Sequence, residues 1–253
     1  MTADAAYVVR SPVAPLLAEP RISSELISQR LAGHRVEVVE RRAPWIRVRG
    51  QDGYAGWTHE GYLRRQAPDD SGATRTSLGC AVVSADGQRR QLPLGAVLSE
   101  SDRIESGAAL DAASLARRFP RDGAALAESA ATLFSGTPYL WGGITPWGAD
   151  CAGFVQSCFA LHGVALPRDA RDQVERGADP RVAIDALRPA DLLFFSERED
   201  GRVTHVGVAL GAGRMAHVAL GRGGFAIERL SSDEPYVATL RSRFRGARRI
   251  ELG

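Results

Sequence analysis

The chain has 253 residues, 44% hydrophobic and 25% charged, with a formal net charge of +2. That profile belongs to a globular protein with room for one large domain or two to three small ones, and the near-neutral balance excludes a general affinity for polyanions such as nucleic acid. Three cysteines, Cys80, Cys151 and Cys158, are too few, and odd in number, for a disulfide framework.

The N-terminus, MTADAAYVVRSPVAPLL, has neither a charged leader region nor a long apolar run. As written the chain is expected to be cytoplasmic and to make no membrane contact, or to be periplasmic or secreted if a leader has been removed. From Tyr7 to Arg65 short strand-like runs follow one another: HRVEVVE, WIRVRG and YAGWTH, with Gly, Pro and Asp between them. GQDGY reads as a tight hairpin turn centred on Asp52-Gly53. About six short strands in this stretch predict a small barrel over residues 1–66. His34 and His59 fall here, and surface roles are expected for both.

Ala67 to Arg75 (APDDSGATR) is polar and turn-rich and reads as a linker. A second strand, Asp-Gly turn and strand follow, so a second small barrel is expected over 67–106, with Cys80 as a buried thiol. Helical patterns start at about Gly107. Asp122 is positioned to cap GAALAESAATLF, CAGFVQSCFALHG reads as a helix stopped by Gly163, and RDARDQVERG as a shorter one stopped by Gly177. Beyond Pro189 the strands DLLFFS, THVGVAL, RMAHVAL, FAIERL and RRIEL are expected. Helices first and an antiparallel sheet after make residues 107–253 an α+β domain. The basic run from Arg241 to Arg249 reads as a solvated last strand and its flanks.

Cys151 follows Asp150 at the start of an apolar-periodic run, which places its sulfur at a helix N-terminus. Free backbone N–H groups and the helix dipole favour the thiolate there, and the same N–H groups can hold an oxyanion. Position alone leaves a nucleophile and a buried filler equally open. A thiolate enzyme needs a base. His162 sits at a helix C-terminus, which leaves His205 and His217 on neighbouring strands joined by Gly211–Gly213. If Leu210 pairs with Arg214, the two histidines are diagonal neighbours on one face; a two-residue loop puts them on opposite faces. Cys, His and His then supply a nucleophile, a base and an orienting group. No short ligand spacing of a zinc site is present, and no metal or cofactor is expected.

The motifs YLWGG…GADCAGFVQ, PRDARDQ, DLLFF and THVGVALG, with a second His twelve residues on, resemble in order those of the NlpC family of papain-like cysteine peptidases, over roughly Asp122 to Gly253. The resemblance implies a papain-like α+β fold, Cys151 as nucleophile, His205 as general base and His217 orienting it. It also implies Tyr139 assisting at the oxyanion beside the Cys151 N–H.

The N-terminal region is similar to bacterial SH3-like domains, and the combination is similar to enzymes of murein-peptide recycling. Those cut between γ-D-glutamate and the next L-diamino acid, often meso-diaminopimelate, in peptides with a free N-terminal L-alanine. The resemblance gives Asp169 the free amine, with helix capping as its other reading, and gives Tyr54 the closing of the cleft. Asp150, Trp141 and Arg168 complete the implied substrate residues, with Trp141 as a packing wall. Two positions depart from the pattern: Ala152 and Ala170 stand where serines are usual, which bears on the residues accepted at the D-Glu and L-Ala sites. A murein tripeptide or tetrapeptide is the expected partner, and the protein is expected to be monomeric. An amidase or acyltransferase on the same fold, or a wall-binding module with an inert peptidase, are the competing functions.

Overall fold

The structure, a computed structural model, describes residues 7–66, 72, 74–84 and 87–252. Most of the expected linker at 67–75, and the Asp of the second Asp-Gly turn, lie outside the described residues. The described residues divide into two compact units, one drawn from 1–117 with 141–143, the other from 118–140 and 144–253.

In the first unit, strands β1 (Tyr7–Val9), β2 (Val13–Leu17), β3 (Leu26–Leu31), β4 (Arg35–Arg42), β5 (Trp45–Arg49), β6 (Ala55–His59) and β7 (Leu63–Arg65) form one sheet in the order β3-β2-β6-β5-β4-β1-β7. Their side chains alternate as a half-buried sheet requires. In β5, Ile46 and Val48 are buried while Arg47 and Arg49 are exposed. Val9, Leu16, Val36, Ile46, Val48 and Leu63 close the core. The Asp52-Gly53 turn joins β5 to β6, with Gly53 at φ +78°, a value glycine adopts without a Cβ clash. Asp52 also receives Arg30 at 2.6 and 3.0 Å, and Arg30 reaches the Tyr54 carbonyl at 2.8 Å.

Strands β8 (Arg75–Val83), β9 (Arg89–Leu98) and β10 (Arg103–Leu110) make a separate antiparallel sheet in the order β10-β8-β9. The expected second barrel is thus seen as three strands, and extended chain continues to Leu110, past the Gly107 at which helix was expected. Gly107 has φ +76°, and a Cβ there would run into the Gly79 carbonyl of β8. This glycine therefore serves a close strand approach and a bulge, not a helix start. Cys80 is buried, as expected. His34, expected at the surface, is instead drawn in: its Nε2 lies 3.1 Å from the Gly95 carbonyl.

Helix α1 (Ala112–Arg118) ends the main span of the first unit; in the second unit, α2 (Gly123–Thr132) is capped by Asp122 through the Ala125 N–H at 2.9 Å. A two-stranded hairpin, β11 (Ile144–Thr145) and β12 (Gly148–Ala149), precedes α3 (Cys151–Leu161), and α4 (Ala170–Gln173) follows. Strands β13 (Leu192–Phe195), β14 (His205–Gly211), β15 (Arg214–Ala219), β16 (Gly224–Arg229) and β17 (Phe244–Arg248) form a five-stranded antiparallel sheet in the order β16-β15-β14-β13-β17. β13 (LLFF) is buried at every residue, which is why it reads as an unbroken apolar run. One face carries Leu193, Phe195, Ala209, Met215 and Leu240 from α5 (Pro235–Ser242). Phe134, Phe154 and Phe225 meet edge to face at 5.2 and 6.0 Å.

Two expectations change and a third gains detail. The run RDARDQVERG yields only the single turn α4, because the chain leaves it to bridge Ala178 to Arg249. The last strand is Phe244–Arg248, not RRIEL, and α5 precedes it. The basic run stays partly solvated, as expected, but most of its arginines have partners within the chain. Arg249 forks onto Asp191 at 2.8 and 2.7 Å, Arg248 donates to the Val174 carbonyl, and Arg243 pairs with Glu197. No helix among the described residues is long and apolar enough to cross a membrane.

Candidate active site

Cys151 is the first residue of α3. Asp150 precedes it in extended conformation and accepts the Gly153 N–H at 2.7 Å through Oδ1, which is the geometry of an N-cap. The same carboxylate takes a two-pronged bond from Arg168, Nη1 to Oδ1 at 3.0 Å and Nη2 to Oδ2 at 2.6 Å. Arg168 is 3% exposed. Its guanidinium forks onto Asp150 and so supports the turn that carries Cys151.

His205 opens β14. The turn at the far end of this strand decides which face it shares with His217. Gly211 pairs with Arg214, so the tip holds only Ala212 and Gly213, at φ +51° and +66°. A register shift between Ala209 and Gly211 then restores the pairing Val208↔Ala216. The bulge adds the residue that a two-residue tip lacks, so the body of the hairpin keeps the register that places both histidines on one face. His205 Nε2 lies 2.9 Å from His217 Nδ1. The Val206 N–H, next to His205, is directed at the Cys151 sulfur, as is the Ala152 N–H.

His217 is fully buried. Its Nε2 lies 3.4 Å from Glu228 Oε1 on β16, too loosely aligned for a formed hydrogen bond. Glu228 is itself buried and is gripped by Arg222 at 2.7 and 3.0 Å, and Arg222 also holds Glu234 at 2.7 and 2.9 Å. Neither Glu228 nor Arg222 stands out in the sequence. The one available signal is an acidic residue placed two positions beyond the cross-strand partner of His217.

The electrostatics differ from the sequence expectation. Burial, with Asp150 adding to it, pushes the Cys151 thiol up to about 12, against the pull of the Val206 N–H, Arg168 and the Ala152 N–H. Burial and the neighbouring His217 push His205 down to about 3. Desolvation outweighs the helix dipole here, and the resting pair is thiol and neutral imidazole. Glu228 is held down to about 2, chiefly by His217 and then by Arg222.

Tyr139 is threaded between two elements. Its N–H donates to the Gly223 carbonyl at 2.9 Å, and it bridges in parallel to Ala149. Burial raises its phenol above the ordinary value, with Cys151 and Asp150 adding to the effect, so it stays protonated. Asp169 precedes α4 but makes no side-chain cap. Its carboxylate instead receives Arg171 at 2.9 Å. Ala152 and Ala170 are both buried, and the Ala152 carbonyl accepts from Gln173 Nε2 at 3.1 Å.

Two expected residues lie in the first unit. Tyr54 sits at the β5–β6 turn, its N–H on Asp52 at 3.0 Å. Trp141, expected as a packing wall, is 58% exposed, with its indole N–H on Glu25 at 2.8 Å. His162 is buried, with Nδ1 on the Pro120 carbonyl and Nε2 3.0 Å from Ser129. Among the described residues no cluster of His, Cys, Asp and Glu could hold a metal ion.

Residues 136–244 match the NlpC/P60 family and residues 12–64 match the bacterial SH3 domain. A γ-D-glutamyl-L-lysine dipeptidyl-peptidase of Bacillus subtilis is 46% identical over 86 residues, 34% of this chain and 28% of the relative. A protein of the same name from Bacillus cereus is 28% identical over 233 residues, 77% of this chain and 68% of the relative. The crystal structure of an NlpC/P60 family protein from Bacillus cereus shares the fold, with a TM-score of 0.76 and 22% identity over 96% of this chain and 99% of that one. The chain thus pairs an NlpC/P60 domain, residues 136–244, with a bacterial SH3 domain, residues 12–64, ahead of it.

Proposed function

We propose that the chain hydrolyses the bond between γ-D-glutamate and the following L-diamino acid in murein peptides that begin with a free L-alanine, in cell-wall recycling or remodelling. The observation that carries this reading is the 2.9 Å contact between His205 Nε2 and His217 Nδ1, beside a cysteine at a helix N-terminus. The names of the two Bacillus relatives support the bond, and add L-lysine to meso-diaminopimelate as a candidate for the residue after it.

In this mechanism His205 carries its resting proton on Nε2, donated to His217, and Nδ1 takes the Cys151 proton as the sulfur attacks the γ-carbonyl carbon. Because burial opposes a standing ion pair, the proton moves as the carbonyl arrives. The new oxyanion is met by the Tyr139 hydroxyl and by the Cys151 N–H, which has no intrahelical acceptor by its position in the first turn. His205 then gives its proton to the leaving amine. Water, activated by the same imidazole, opens the thioester and frees Cys151.

Asp169 binds the ammonium of the N-terminal alanine. Its missing cap bond supports this over the capping role, and a carboxylate facing an ammonium makes a charge-assisted bond. The experiment is hydrolysis of L-Ala-γ-D-Glu-meso-diaminopimelate and its L-lysine counterpart, followed by mass spectrometry. Turnover of lipid or simple amide substrates in their place would move the protein to the acyltransferase or amidase reading.

A further inference from the structure

The buried carboxylate of Glu228 has no part in the three-residue mechanism, yet the fold holds it with care. His217 pairs with Ala226 across β15 and β16, so Glu228 is its diagonal neighbour on the same face. Its Oε1 lies 3.4 Å from His217 Nε2. Arg222 fixes both its oxygens, Glu234 fixes Arg222, and the Arg222 guanidinium lies 4.2 Å from the centre of the Tyr236 ring. Arg222, Glu234, Tyr236 and His217 are the charged and titratable groups around it.

The histidine pair can share its proton in two ways. Either His205 Nε2–H donates to His217 Nδ1, or His217 Nδ1–H donates to His205 Nε2. The first leaves a proton on His217 Nε2, facing the carboxylate. The second turns a bare ring lone pair toward it, which is repulsive. Only the first leaves His205 Nδ1 free to accept the thiol proton.

We propose that Glu228 is a positioning residue: held by Arg222, its carboxylate selects the Nε2–H form of His217 and thereby the form of His205 that can act as base. The inference rests on the proposed orienting role of His217.

The test uses the full chain with Glu228→Ala, Glu228→Gln and His217→Ala. Tautomers are read by 15N NMR of the imidazoles, and kcat and KM on the murein tripeptide. Wild-type His217 is expected to show a protonated Nε2 and an accepting Nδ1. Glu228→Ala is expected to blur that pattern and lower kcat by about 10- to 100-fold at little cost in KM, the range typical of partners that orient an active histidine. Glu228→Gln, whose amide oxygen can face Nε2–H but whose amide nitrogen removes one of the two acceptors held by Arg222, is expected to restore the pattern and kcat in part.

A wild-type spectrum with the proton on His217 Nδ1 overturns the proposal even if Glu228→Ala fails to fold. Unchanged kcat and tautomer in Glu228→Ala, with His217→Ala impaired, overturn the role of Glu228 alone. Full activity in His217→Ala overturns the orienting role of His217 instead.

Discussion

Asp150 ties the nucleophile's helix to a buried arginine: one carboxylate caps α3 through the Gly153 N–H and receives both Nη atoms of Arg168. With Arg168 3% and Asp150 7% exposed, removing one partner strands the other charge. Arg168→Met is expected to cost about 3–5 kcal/mol of stability, as breaking a buried ion pair does, and to lower Tm in calorimetry. A Tm within a degree of wild type would show that the pair is not what holds the turn.

The neutral resting pair has a consequence for alkylation. A preformed thiolate would react with iodoacetamide at a rate already level at pH 6. With burial pushing Cys151 up to about 12 and His205 down to about 3, labelling of Cys151 in the free protein is expected to be slow at pH 6 and to climb with pH through 9. A plateau between pH 6 and 9 would contradict the neutral pair.

The same shifts link stability to pH. The folded His205 stays neutral down to about 3, while in the unfolded chain it takes up a proton near its ordinary value of about 6.5. Below that value the unfolded state binds more protons, so this group's contribution to stability falls as pH drops. His205→Gln is expected to flatten the decline of Tm between about pH 6.5 and 4. An equally steep decline in the variant would assign it to other groups.

Much of this arrangement was legible in the sequence. The Asp-Cys junction gave a helix start, and the strands around His205 and His217 showed their apolar runs. The face shared by the histidines was legible only conditionally, since a two-residue tip and a one-residue bulge together mimic the three-residue loop. Helix α5 gives little sequence signal because it is short and partly polar, and its place in the fold is set by Leu240 packing with the sheet residues Leu193, Phe195 and Met215. The Glu228–Arg222–Glu234 chain was hidden for another reason: it joins a strand to the turn before it and the loop after it, a tertiary relation with no local period.

Gly224 tests how Tyr139 is held. A Cβ there would fall on the Thr137 carbonyl, and Pro138 bridges directly to Gly224. Gly224→Ala is expected to push the Pro138–Tyr139 segment away, costing about 1–3 kcal/mol as overpacking does and lowering kcat more than KM. Wild-type kcat in a folded variant would separate Tyr139 from the oxyanion role.

Asp169→Asn tests the amine site. Losing one charge from a charge-assisted bond is worth about 1.5–3 kcal/mol, so kcat/KM on the free-amine tripeptide is expected to fall roughly 10- to 150-fold. The wild-type protein is expected to cleave the N-acetylated tripeptide poorly. Equal cleavage of free and acetylated peptides by the wild type would remove the free-amine requirement.

Most directly, wild type and Cys151→Ala are incubated with L-Ala-γ-D-Glu-meso-diaminopimelate and with the L-lysine peptide, and the products are weighed by mass spectrometry. Release of L-Ala-γ-D-Glu and the free diamino acid by the wild type, and none by Cys151→Ala, is the expected result. Undiminished release by Cys151→Ala, or intact peptides with the wild type alongside strong binding to sacculi, would contradict a cysteine peptidase acting at the γ-D-glutamyl bond.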